Sequence, residues 1–106
     1  MNKFMRIIVF FDLPVKTKTQ RRVATQFRNF LLKDGYFMIQ YSVYSRICNG
    51  YDDVEKHKIR LRAHKPDNGS VRALVITEKQ YEKIELIIGN RVSEEEHAVF
   101  EQLSIF

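Results

Sequence analysis

Apolar residues run from Phe4 to Phe11 with only Arg6 breaking the series, and the run ends at Asp12-Leu13-Pro14. A short apolar run closed by a turn signal predicts a buried strand, and Pro14 stops it because proline has no N–H to give a sheet ladder. The period then changes. Val23, Ala24, Phe27, Phe30 and Leu31 follow the i, i+1, i+4, i+7, i+8 spacing of one buried helical stripe. Thr17 followed three residues later by Gln20 fits a capping box, and Asp34-Gly35 supplies a stop after Lys33. Lys18, Arg21, Arg22 and Arg28 fall on the opposite side of this helix, so it turns its phenylalanines inward and its cations outward.

Residues 36–46 are rich in aromatic and β-branched side chains and lack Gly and Pro, which favours strand. That stretch is long for one strand, and a break or bulge is expected near Gln40 to Ser42. The next segment supports two readings. Val54, Lys58 and Leu61 permit a helix, while Ile59, Leu61 and Ala63 alternate with Lys58, Arg60 and Arg62 as a strand would. Helix is preferred, because Val71 to Thr77 reads as a strand after the Pro66-Asp67-Asn68-Gly69 turn, and parallel sheet neighbours need a helical crossover. Ile84 to Ile88 reads as one more short strand, closed by Gly89-Asn90. Beyond Glu94-Glu95-Glu96, the segment from Ala98 to Phe106 is too apolar to sit comfortably in water alone.

This order predicts an α+β fold, a ferredoxin-like βαββαβ sandwich with helices on one face of an antiparallel sheet and an extra C-terminal strand. The 106 residues suit one domain over 1–90, followed by a tail over 91–106 that docks on a dimer mate or a third protein. The uncovered sheet face calls for a second copy, in a twofold homodimer.

Composition narrows the chemistry. Cys48 is the only cysteine, which removes an internal disulfide and any multi-cysteine zinc site. His57, His64 and His97 do not fall at metal-ligand spacing. No apolar stretch approaches the ~20 residues of a membrane span, and the N-terminal run lacks the form of a signal peptide, so an intracellular, cytoplasmic protein is expected. Residues 1–50 carry nine Lys or Arg against Asp12 and Asp34, whereas residues 51–106 carry nine against eleven acids. Two basic stretches stand out: Lys18, Arg21, Arg22, Arg28 and Lys33, and the acid-free run Lys56, Lys58, Arg60, Arg62 and Lys65. In a chain of pI about 9.5 they suit the phosphate backbone of a nucleic acid. Solvated faces that keep the protein soluble would look the same.

Asp12 is the only acid among the first 33 residues and stands where the first strand stops, a place where metal and phosphate chemistry tends to be built. An ordinary Asp-Leu-Pro turn is the plainer explanation. No His, Glu or second Asp lies near it in sequence to act as a general base.

Several segments, in order, resemble one family: Met5 to Pro14, Phe27 to Leu31, Gly35-Tyr36-Phe37, Gln40 to Tyr44, and Val75 to Tyr81. Together they are similar to the CRISPR-associated Cas-two proteins, closest to the form found beside type II effectors, over about residues 4–90. The resemblance implies two functions. One is architectural: a homodimer bridges two dimers of the Cas-one integrase and holds a short DNA duplex for insertion into the CRISPR array. The other is a magnesium-dependent endonuclease cutting single-stranded RNA or double-stranded DNA, with the strand-end aspartates of two protomers facing each other around one Mg²⁺. Asp12 matches that aspartate, as catalytic residue and metal ligand. Ser42, beside Gln40 in the shared motif, could shape the site, although a hydroxyl satisfying a turn is the commoner role. A stand-alone toxin-type metal-dependent endoribonuclease of ferredoxin-like fold remains as an alternative, while a nucleotide sensor is disfavoured by the absence of a Gly-rich phosphate loop.

Overall fold

The computed structural model describes residues 3–91, and the strand that opens the sequence lies inside its sheet. That strand, β1 (Phe4–Asp12), is followed by α1 (Lys18–Lys33), β2 (Phe37–Gln40), β3 (Val43–Asn49), α2 (Tyr51–Ala63), β4 (Ser70–Thr77) and the short α3 (Glu78–Glu82). The sheet order is β2-β3-β1-β4, antiparallel throughout. This is the expected ferredoxin-like arrangement. The expected break at Gln40 to Ser42 separates β2 from β3, and Ser42 takes a left-handed φ of 63° there. The ambiguous basic segment is helical, but the parallel-neighbour argument for it needs correcting. β3 and β4 are parallel to each other, yet β1 lies between them, so α2 crosses over a strand rather than joining neighbours.

Alternation along β1 explains why it must be apolar on both faces. Met5, Ile7, Val9 and Phe11 point toward α1 and α2, where they meet Phe27, Leu31, Val54 and Leu61. Phe11 sets its ring edge-on to Phe27 at 5.1 Å and stacks on Tyr44 at 5.7 Å. Thr17 caps α1 as expected, exchanging bonds with Gln20. Ala24, Phe27 and Leu31 form the buried stripe, while Phe30 is half-buried and Val23 is exposed.

The opposite sheet face carries the main departure from expectation. Arg6 is 1% exposed there, covered by α3, which starts with a second capping box made by Thr77 and Gln80. Ile84 to Ile88 does not form the expected extra strand. After β4, α3 turns the chain onto Arg6 across the sheet face, leading it away from the open edge of β4 before Ile84 is reached. Ile84, Leu86, Ile87 and Ile88 are left 54%, 51%, 80% and 90% exposed. The tail expected to dock from residue 92 onward lies outside the described residues. No helix among the described residues is long and apolar enough to cross a membrane.

Candidate active site at the end of the central strand

Asp12 is the last residue of β1, and it is exposed. Two turns press on the strand immediately around it. On the β3 side, the Phe11 N–H donates to the Ser42 carbonyl at 3.1 Å. On the β4 side, Asp12 pairs with Ser70, and Gly69 before it approaches so closely that a Cβ there would lie 2.6 Å from the Asp12 carbonyl oxygen. Ser42 therefore meets the strand end through its backbone, with its left-handed conformation imposed by the tight β2–β3 turn.

The same end of the sheet gathers cations. Lys58, Arg62 and Lys65 line a cleft between α2 and β4 whose floor includes Leu61, Val71 and Ala73 and whose far wall reaches Gly69. Through Gly69 the cleft adjoins the Asp12 backbone carbonyl, while alternation along β1 turns the Asp12 side chain to the opposite sheet face, that of Arg6. Lys18, on the first turn of α1, follows Asp12 by six residues, across the Pro14 turn.

Nine of the ten cations in the two basic stretches, Lys65 of the cleft apart, divide by what holds them. Arg21 donates from Nη1 to the Val15 and Lys16 carbonyls, both at 3.1 Å, tying down the β1–α1 connection. Arg60 reaches the Asp34 carboxylate at 2.9 Å, Lys56 lies 3.3 Å from Asp53, and Lys58 lies 3.6 Å from Glu55. Arg28 makes one long bond to Thr25 at 3.5 Å. Lys18, Arg22, Lys33 and Arg62 are exposed and form no ion pair among the described residues. These four are the most available for a phosphate backbone.

A second polar cluster went unnoticed in the sequence. His57 is 1% exposed, with Nδ1 2.8 Å from Asp34 Oδ2. Its Nε2 lies 3.2 Å from Asp53 Oδ1, near enough for charge attraction but without hydrogen-bond geometry. Arg46 donates from Nε to the Asp34 carbonyl at 2.6 Å, and the Asn49 N–H donates to Asp53 at 2.9 Å. Burial pushes the Asp34 carboxyl up, but the hydrogen bonds and charges of His57 and Arg60 outweigh it and hold the group below its ordinary value. The Asn49 N–H is the chief reason that Asp53 is held low. The spacing of Asp53 and His57, i and i+4 on α2, was the one sequence signal for this cluster. Its role is to pin α2 to the end of α1.

Among the described residues no three His, Cys, Asp or Glu side chains come together to hold a metal. One chain offers Asp12 alone, a hard and exposed oxygen donor. Mg²⁺ is commonly held through one or two carboxylates while keeping several waters, so Asp12 would meet that minimum if a second copy brought its own Asp12 alongside.

Comparison with known proteins adds four findings. The family model of CRISPR associated protein Cas2 matches residues 5–84. A protein of Acidovorax ebreus named CRISPR-associated endoribonuclease Cas2 is 51% identical over 102 residues, covering 96% of this chain and 100% of that protein. Its namesake in Campylobacter jejuni is 47% identical over 94 residues, covering 89% of this chain and 66% of the relative. A solved structure described as a crystal structure of cas2 superposes with a TM-score of 0.58 at 21% identity, covering 85% of this chain and 92% of that one. That likeness bears on the fold.

Proposed function

From the chain's membership of the Cas2 family, we propose that it serves CRISPR spacer acquisition as the DNA-bridging homodimer of an integration complex with the Cas-one integrase, and that it carries a Mg²⁺-dependent endonuclease centre at paired Asp12 residues. The observation that carries the nuclease reading is the exposed Asp12 carboxylate at the end of the central strand, with a cleft of three cations at the same end of the sheet. The names of the relatives support endoribonuclease action.

The site acts on a phosphodiester. Lys58, Arg62 and Lys65 attract successive phosphates along the cleft without reading bases, and Lys18 and Arg22 extend that attraction onto α1. Asp12 and its twin hold the metal, and without a cation between them the two carboxylates would repel. Bound Mg²⁺ supplies charge neutralisation at the phosphate and polarises the attacking water. His57 is not the proton acceptor, because it is buried between Asp34 and Asp53.

The homodimer is supported by the exposed apolar run Ile84, Leu86, Ile87 and Ile88, which a single chain leaves in water. A second copy covering it would also complete the metal site. The toxin-type endoribonuclease reading shares the cleft and Asp12 but needs no integrase.

The deciding experiment pairs wild type with Asp12→Ala. Each is assayed with Mg²⁺ for cleavage of single-stranded RNA and duplex DNA, and with the integrase for insertion of a short duplex into a CRISPR array. Cleavage lost in the variant with integration retained supports both functions and separates them. Wild-type integration without cleavage makes the protein a scaffold. Cleavage with no stable integrase complex moves it to the toxin class.

A further inference from the structure

Gly69 stands out from the other glycines in what surrounds it. Its φ is +96°, and a Cβ there would meet the Asp12 carbonyl oxygen at 2.6 Å and the Leu13 Cα at 3.1 Å. Both are backbone atoms, so the strand end itself would have to move. Gly50 has nearly the same φ, +91°, but a Cβ there would meet nothing within 4 Å. The two glycines impose the same conformational demand, and only one of them leans on Asp12.

We propose that Gly69 is a positioning residue for the metal-holding Asp12: its missing side chain lets the α2–β4 turn seat against the Asp12 carbonyl and fix the direction of the carboxylate. This rests on the reading of Asp12 as a metal ligand. The Phe10–Phe11 peptide, one step before Asp12, is held by the Phe11 N–H bond to Ser42, and the Asp12 carbonyl is confined by Gly69. Gly69 thus limits where the Asp12 carbonyl can sit, and with it the direction of the Asp12 Cα–Cβ bond. Any side chain at 69 pushes the carbonyl away and turns that bond with it. A carboxylate shared across a dimer axis is sensitive to such a turn, because the error is doubled by symmetry.

The test uses the full chain in four forms, wild type, Gly69→Ala, Gly50→Ala and Asp12→Asn, with Mn²⁺ as the probe, titrated by electron paramagnetic resonance and compared with thermal midpoints. Gly69→Ala and Gly50→Ala are both expected to lower the midpoint, since both place a side chain at positive φ. Only Gly69→Ala is expected to weaken Mn²⁺ binding, by ~10-fold to ~100-fold, the range for groups that orient a ligand without touching the metal. Equal Mn²⁺ affinity in the two glycine variants overturns the proposal. Wild-type affinity in Asp12→Asn overturns instead the metal reading beneath it. Where Gly69→Ala does not fold, Leu13→Ala combined with Gly69→Ala replaces it. The added change removes the Leu13 side chain, which Cβ would meet at 2.8 Å, and keeps the 2.6 Å approach to the Asp12 carbonyl.

Discussion

Arg6 and Glu78 are joined across 72 positions of sequence by a two-pronged ion pair, Nε to Oε2 at 2.7 Å and Nη2 to Oε1 at 3.0 Å. The same guanidinium donates to Ser45 Oγ at 3.2 Å and lies 4.0 Å above the Tyr81 ring centroid. A buried cation is tolerated here because each of its three nitrogens has a hydrogen-bond partner and its π-facing surface is matched. Removing the carboxylate leaves the charge stranded. Glu78→Gln is therefore expected to cost about 3 kcal/mol of unfolding free energy, read from urea denaturation. Arg6→Met together with Glu78→Leu should recover most of that loss, and a double variant as unstable as the single would contradict the account.

The Asp34 cluster makes stability depend on acid. A carboxyl held low in the folded state contributes stability that is complete above its unfolded pKa of about 4 and disappears as pH falls through the lower folded value. Asp34 and Asp53 are both held low. The thermal midpoint of wild type should thus drop below pH about 4. Asp34→Asn should lose about 2 kcal/mol at neutral pH and show a shallower acid limb. An unchanged limb would mean that His57 and Arg60 do not stabilise the carboxylate.

Arg21 and Arg22 are adjacent in sequence and opposite in assignment. Arg22→Glu should weaken binding to duplex DNA with little change in stability, and Arg21→Ala should lower stability by about 1 kcal/mol by freeing the Val15 and Lys16 carbonyls. Fluorescence anisotropy across a salt series separates the two. Wild-type binding should fall linearly in log–log form, and Arg22→Glu should flatten the slope by about one phosphate contact. A slope near zero in wild type would remove backbone contacts altogether.

Charge placed on the exposed run tests the dimer. Ile87→Lys with Ile88→Lys should leave a folded monomer by light scattering, because both side chains are at least 80% exposed within one chain and contribute nothing to its core. A dimer that survives both changes would place the interface elsewhere. Truncation after Gly89 should keep the fold and weaken capture by the integrase.

Which parts were legible in the sequence follows from how local their causes are. Thr17 and Gln20 announce the start of α1 because a capping box is written within four residues. The β2–β3 break was legible because eleven strand-forming residues exceed ordinary strand length. Ile84 to Ile88 misled for the opposite reason. Its composition is that of a strand, but pairing needs the chain to run beside an open edge such as that of β4, and α3, held over the sheet face by Arg6, leads it elsewhere. Asp12 was conspicuous as a lone acid, whereas Gly69 looked like any turn glycine until the chain's return to β4 brought it against Asp12. The cations could be counted from sequence, but Arg60 and Arg21 were committed to partners that only the packing of α2 on α1 and the β1–α1 connection revealed.

The central position of β1 also orders events during synthesis. It is made before both of its neighbours, β3, which ends at Asn49, and β4, which ends at Thr77. Between its own emergence and that of β4, at least one edge of an eight-residue apolar run stands open, with Arg6 and Asp12 as the charges that discourage wrong pairing. The sheet cannot close until β4, which starts at Ser70, has followed β1 out, so the open edge is exposed to wrong pairing while everything between the two strands is made.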